Sequence, residues 1–192
     1  VRSMHWSEGT WTHEPTAQVV DGDDLVVSAA EGSDAWRITS YGFIHDSEHA
    51  LLAPFPPESA IEVEFTLALT EQFDQAGVFV RADAETWVKA GVEFADGSPN
   101  LGAVVTLGQS DWSSAPVPDW DGRRVTIRVS RSGDALTVRA CVDEEPFRFV
   151  RLCPMEATRP LQAGPYLCAP TRSGFSVRFH RWSLTEPDAS LH

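Results

Sequence analysis

Apolar and polar positions alternate with a period of two through most of this chain. Ile61, Val63, Phe65, Leu67 and Leu69 alternate with Glu62, Glu64, Thr66 and Ala68. This predicts a strand over 61–70 with one face in a core and the other in water. Val125, Ile127 and Val129 alternate with Arg124, Thr126 and Arg128. After Ser132-Gly133-Asp134, the residues Leu136, Val138, Ala140 and Val142 alternate back, which is a hairpin pattern. Phe175, Val177 and Phe179 lead into a last strand that reaches Trp182. Shorter runs predict strands at 25–29, 35–39, 50–53, 101–107, 147–155 and 161–169. Pro54, Pro56 and Pro57 interrupt the ladder, and the stretch around Ser110-Asp111-Trp112 reads as a loop. No window of a dozen residues carries a 3.6 period capped at both ends. Residues 1–192 are therefore expected to form one all-β domain, an antiparallel two-sheet β-sandwich, because each half-buried sheet needs a partner for its apolar face. Residues 1–15 are expected as an extended segment and 186–192 as a frayed tail.

The stretch from Asp74 to Phe94 is the most informative. It holds two Val/Phe-rich runs separated by Asp83 to Thr86, a hairpin. On the second run Val88, Ala90, Val92 and Phe94 share one face, and Trp87, Lys89, Gly91 and Glu93 share the other. The first face suits a core and the second suits a ligand, with roughly 7 Å from Trp87 to Lys89 and roughly 14 Å from Lys89 to Glu93. A four-residue loop would put Val80 on the Lys89 face and Arg81 in the core. A bulge or odd loop would instead place Gln75, Phe79 and Arg81 beside Lys89. The second register is preferred, since a buried Arg81 is costly.

Charge and composition narrow the function classes. A formal charge of −13 at pH 7 argues against nucleic acid, which needs a basic stripe to displace counterions. No span of about 20 apolar residues suggests a membrane segment, and no secretory h-region opens the chain, so a cytoplasmic protein is expected. Cys141, Cys153 and Cys168 lack metal-ligand spacing and read as buried free thiols. His45 and His49, beside Asp46 and Glu48, read as a solvated loop, and Asp21 to Asp24 as a turn. No metal and no cofactor is expected.

Five local words, DAWRITSYGF (34–43), DQAGVFVR (74–81), WVKAGVEF (87–94), VVT with SDWS (104–106, 110–113) and GPYLCAP (164–170), resemble the uncharacterised conserved domain family of bacteria and fungi whose yeast member is called a regulator of enolase. The resemblance runs from about Trp11 to Trp182. It implies a concanavalin A-like jelly roll, the scaffold of legume lectins and laminarinases, and it implies no reaction. In such folds ligands lie across the concave sheet, held by aromatic rings and by carboxylates, amides and cations that meet hydroxyls.

The candidate ligand-binding residues are therefore Gln75, Arg81, Trp87, Lys89 and Glu93 on the sheet, with Trp36, Tyr41, Asp111 and Trp112 at the rim; Tyr166 is a further possible platform. No catalytic residue is assigned. Glycosidases need paired carboxyls, and the strand carrying Lys89, Gly91 and Glu93 offers one acid. Glu62 and Glu64 stand on an ordinary solvent face. The expected function is a non-catalytic lectin-like module for an oligosaccharide or small polar ligand. The alternatives are a protein-interaction module with a protein partner, and a glycan-active hydrolase or lyase.

Overall fold

The computed structural model describes residues 1–192. Seventeen strands follow in order: β1 Arg2–Ser3, β2 Thr10–Trp11, β3 Ala17–Asp21, β4 Asp24–Ser28, β5 Ala35–Arg37, β6 Ile44–Asp46, β7 His49–Pro54, β8 Ser59–Thr66, β9 Gln75–Asp83, β10 Thr86–Ala95, β11 Ser98–Leu107, β12 Gln109–Pro116, β13 Arg124–Ser132, β14 Ala135–Val142, β15 Arg148–Pro154, β16 Gln162–Cys168 and β17 Ser176–Thr185. The only helical turns are two short 3-10 segments, Trp6–Glu8 and Pro118–Trp120.

Two antiparallel sheets face each other. One runs β15-β14-β13-β8-β17-β4-β3, with β1 on the far end of β17, and the other runs β12-β11-β10-β9-β16-β7-β2. The alternation of β8 and β13 sends Ile61, Val63, Phe65, Val125, Ile127 and Val129 inward. They meet Ala76, Val78, Val80, Val88, Ala90 and Val92 from β9 and β10 in a single large core. The opposite face of β8 and β13 is a ladder of ion pairs, Arg128 to Glu62 at 2.9 Å, Arg181 to Glu62 at 2.9 Å and Arg124 to Glu64 at 3.1 Å. Glu62 and Glu64 thus serve a charged solvent-side face, as their spacing suggests. No helix is long and apolar enough to cross a membrane.

Four expectations need correction. The Ser110-Asp111-Trp112 stretch is not a loop but the edge strand β12, paired with β11 from Leu107↔Gln109 to Asn100↔Pro116. Its residues are mostly exposed and polar, which protects an edge from further pairing and erases the apolar alternation that would have marked it. The strand expected over 61–70 ends at Thr66, although Leu67 and Leu69 stay buried. The stretch from His45 to His49 is not a solvated loop: His45 lies in β6, His49 opens β7, and Glu48 and His49 are buried. Ahead of it, β1 and β2 each add to a sheet. The tail is not frayed at its start: Asp188 pairs with Arg128 at 2.9 Å and Arg139 at 3.1 Å, and its N–H donates to Ser130.

The outer face of the second sheet carries a smaller core of its own, formed by Ala35, Trp36, Ala50, Leu52, Phe79, Trp87, Val104, Tyr166 and Cys168. Here the β5–β6 hairpin folds as a flap over the sheet. Arg37 fastens it through its N–H to Ser110 Oγ at 2.9 Å and its Nε–H to the Gly108 carbonyl at 3.0 Å. At its root the Ala169 N–H donates to Ser33 Oγ at 2.9 Å, and the Ala30 N–H donates to His49 Nε2 at 3.0 Å.

Candidate ligand cleft

The hairpin register decides which side chains share the sheet's outer face. Asp83 Oδ1 accepts the N–H groups of Glu85 and Thr86 at 2.8 and 2.9 Å, closing a tight turn. A register shift at Thr86/Trp87 follows, giving Trp87↔Arg81, Lys89↔Phe79 and Glu93↔Gln75. This is the bulged register, and it puts Gln75, Phe79 and Arg81 on the same face as Lys89.

Between that face and the flap lies a cleft of about 310 Å³, lined by Asp34, Trp36, Tyr41, Phe43, His45, Lys89, Glu93 and Trp112 among others. A recess of about 20 Å³ continues beneath it between Gln75, Glu93, Asn100, Ser114 and Tyr166, enough for one water. Gly91 and Gly102 line this recess, and Gly91 sits between Gly77 and Gly102 on the neighbouring strands.

Polar groups converge on the floor. Lys89 Nζ donates to Asp34 Oδ1 at 3.0 Å and to Gln75 Oε1 at 2.9 Å. Gln75 Nε2 and the Ala35 N–H donate to the same Asp34 oxygen at 3.1 and 2.8 Å. Asp34 Oδ1 thereby accepts three donors, Oδ2 has no hydrogen-bond partner within the protein, and the residue lines the cleft. Burial opposes ionisation of Asp34, but the Lys89 charge and the three donors outweigh it and hold the carboxyl below its ordinary value. Burial likewise opposes the Lys89 charge, and Asp34 with its neighbours overcomes this, so the ammonium is held above its ordinary value. The pair is charged and locked.

Glu93 is different. Its carboxyl makes no hydrogen bond within the protein. Burial pushes its carboxyl up to about 7, Lys89 partly offsets this, and the Asp34 charge adds to it. The folded state therefore holds a proton that the unfolded chain releases at its ordinary value of 4.5, so stability falls as pH rises from there to about 7. Glu93→Gln removes that loss. Its stability advantage over the unmodified protein is expected to be near zero at pH 4.5 and to grow to about 1–3 kcal/mol above pH 7.5, the lower end reflecting the group's partial exposure at the cleft mouth. Urea denaturation across this range checks it, and a pH-independent difference would contradict the assignment.

Aromatic rings build the opposite wall. Trp36 meets Tyr41 and Trp112 edge-on with centroids 5.7 and 6.3 Å apart, and Tyr41 stacks on Phe43 at 5.1 Å. The indole N–H of Trp36 is tied to the Thr39 carbonyl at 3.0 Å, which fixes its ring. Tyr41, Phe43 and Trp112 remain substantially exposed. Phe73, also on the wall, has a left-handed backbone with φ of 68°, a conformation that bulky residues adopt at a cost.

The cleft gathers Trp36, Tyr41, Lys89, Glu93 and Trp112, with Gln75 in the recess. Three other candidates fall outside it. Trp87 is buried on the same sheet face, stacked on Phe79 at 5.3 Å, and offers no platform. Arg81 lines a separate pocket with His13, Asp46 and Gln162. Asp111 points to the other side of β12 and pairs with Arg151 at 2.8 Å. Tyr166 is buried in the recess floor. Sequence reasoning missed Asp34, the hub of the network, and Phe43 and His45 on the wall. Their one signal is position, in the Asp-Ala-Trp-Arg-Ile-Thr-Ser-Tyr-Gly-Phe word that supplies Trp36 and Tyr41.

Residues 11–187 match a family described as "Protein of unknown function (DUF1349)". The chain is 35% identical over 186 residues, 97% of its length and 93% of the relative's, to "Regulation of enolase protein 1" of Saccharomyces cerevisiae. The crystal structure of a functionally unknown protein from the same yeast superposes with a TM-score of 0.90 at 34% identity, covering 97% of this chain and 100% of that one. A legume lectin-like domain from Entamoeba histolytica superposes with a TM-score of 0.65 at 9% identity, covering 95% and 92%, a likeness of fold alone. The jelly-roll sandwich and the regulation-of-enolase relationship expected from the sequence both hold.

Proposed function

This chain belongs to the DUF1349 family of proteins of unknown function, and from the geometry of its cleft we propose that it is a non-catalytic, lectin-like module that binds a saccharide or similarly hydroxyl-rich small molecule. The observation that carries the reading is the pairing of two surfaces across one cleft. Asp34, Lys89 and Glu93 line one side, and Trp36, Tyr41, Phe43 and Trp112 line the other. Sugars present hydroxyls along their edges and C–H groups on their faces, which such a cleft meets with hydrogen bonds and ring contacts. Charge favours a neutral ligand. Lys89 is neutralised by Asp34 at 3.0 Å, so the floor has no spare lysine or arginine to recruit a phosphate.

A panel of neutral, amino and acidic saccharides, scored by thermal shift and then by calorimetry, tests this. At least one neutral saccharide is expected to raise the melting temperature. Trp112→Ala and Tyr41→Ala, at substantially exposed rings of the wall, are expected to weaken its binding about tenfold, or 1.4 kcal/mol. A panel that shifts nothing sinks the proposal.

One observation favours a second reading, glycan cleavage. Asp34 and Glu93 share the cleft with their carboxyls pushed in opposite directions, as in an acid and base pair. Turnover of aryl glycosides that vanishes in Glu93→Gln would support it, and the absence of any turnover by the unmodified protein would eliminate it. The name of the yeast relative supports a regulatory role beside either reading. The exposed Ile38, Tyr41, Phe43 and Ile44 of the flap form the surface a protein partner would meet.

A further inference from the structure

A second cluster lies at the root of the flap, away from the cleft. It joins the N-terminal segment, through His13, to Asp46 at the end of β6 and Glu48 in the turn before β7. Each of the three offers a ligand atom, and these atoms lie within 4.8 Å of one another. Glu48 is the anomaly. Its side chain is only 3% exposed, yet Oε2 has no hydrogen-bond partner. A buried carboxylate oxygen without a hydrogen-bond donor is costly and calls for something to satisfy it.

The surroundings do not supply that partner. The nearest nitrogen, His13 Nδ1, is 3.7 Å from Glu48 Oε2 and is already committed, donating to the Glu48 backbone carbonyl at 2.7 Å. Arg81 shares the adjoining pocket of about 230 Å³ with His13 and Asp46 but makes no ion pair with any of the three. The bond from Nδ1 has a further effect. It fixes the imidazole tautomer that leaves the Nε2 lone pair free, and Nε2 lies 3.7 Å from Asp46 Oδ1. A ring nitrogen oriented by a backbone carbonyl is the usual support for a metal-ligating histidine.

We propose that His13, Asp46 and Glu48 form a binding site for a divalent transition-metal ion of the zinc type. One imidazole nitrogen and two carboxylate oxygens make three protein ligands, with a water completing a tetrahedron. Bonds of about 2 Å place tetrahedral ligand atoms roughly 3.3 Å apart; His13 Nε2 and Asp46 Oδ1 stand at 3.7 Å and the three ligand atoms within 4.8 Å of one another, so the side chains draw together around the ion. His13 and Asp46 are partly exposed, so the ion enters from solvent while Glu48 anchors it from within. Because His13 and Asp46 belong to different segments, the ion ties the N-terminal segment to the flap.

The test uses untagged, chelator-treated full-length protein titrated with zinc chloride in a calorimeter, and with cobalt(II) followed by visible absorption. The expected result is one saturable equivalent of zinc, a tetrahedral-type cobalt spectrum, and a melting temperature raised by zinc. His13→Ala and Asp46→Ala, both at the surface, are each expected to weaken zinc about tenfold or more while leaving the metal-free melting temperature nearly unchanged. Glu48→Gln, which removes the buried anchoring carboxylate, is expected to bind no zinc. Absence of saturable zinc binding, or binding that survives both His13→Ala and Asp46→Ala, would overturn the proposal.

Discussion

Asp34→Ala is expected to destabilise the protein by about 3–5 kcal/mol at pH 7, the scale of breaking a buried ion pair by removing one member. The reason is Lys89, only 4% exposed. Without Asp34 its ammonium keeps a single acceptor, Gln75 Oε1 at 2.9 Å, and Gln75 Nε2 loses its own. The double variant Asp34→Ala with Lys89→Met should recover much of the loss, because it removes the stranded charge and leaves an apolar chain of similar length beside Val104 and Tyr166. The pH dependence has a definite sign. Asp34 is held below its ordinary value of 3.8, so its contribution is present above that value and is lost as pH falls through the lower folded value. The gap between parent and Asp34→Ala should therefore narrow only in strong acid. Denaturant titrations of the three proteins decide it, and a loss under about 1 kcal/mol with no recovery in the double variant would show that the pair does not organise the floor.

The second large effect is expected at Gly91. A Cβ there would be driven into the carbonyl of Ala76 and against the Gly77 backbone, and a Cβ at Gly77 would meet Ala90 in the same way. These neighbours are main chain and cannot rotate aside. Gly91→Ala should cost at least the upper part of the 1–3 kcal/mol range of overpacking, and Gly91→Val should prevent the hairpin from pairing in its native register. Gly97, at the β10–β11 turn, is a control of opposite character. A Cβ there meets nothing, but its φ of 82° disfavours other residues, so Gly97→Ala should cost about 1 kcal/mol for conformation alone. Comparable losses at Gly91 and Gly97 would mean that close strand approach is not what the glycine row provides.

Much of the fold was legible because half-buried antiparallel strands write their burial into the sequence. β8, β13, β14 and β17 each have one face in the common core and one in a charged ladder, and a period of two follows directly. Legibility failed where that contrast was absent. β12 is an edge strand with little buried area, and its Gln-Ser-Asp-Trp-Ser-Ser-Ala-Pro run looks like a loop. β3 is exposed throughout and left no apolar stripe. The outer face of β9 and β10 misled in the opposite direction. Trp87, Lys89 and Glu93 read as residues open to solvent, yet the flap closes over them, so that Trp87 became core and Lys89 a buried cation.

The same contrast divides the candidate sites. Sequence alone determined the sandwich, the hairpin at 74–94, and which faces Val88 and Lys89 take, since alternation is a local property of an extended chain. The preference for the bulged register also came from sequence, through the cost of burying Arg81. Only the tertiary structure decided that Asp34 meets Lys89 across 55 positions of chain, that Trp36 and Trp112 share a wall, and that His13 comes to Asp46 and Glu48. Those meetings depend on how the flap and the N-terminal segment fold back over the sheet, and no local period encodes a contact between segments whose own burial is created by that folding.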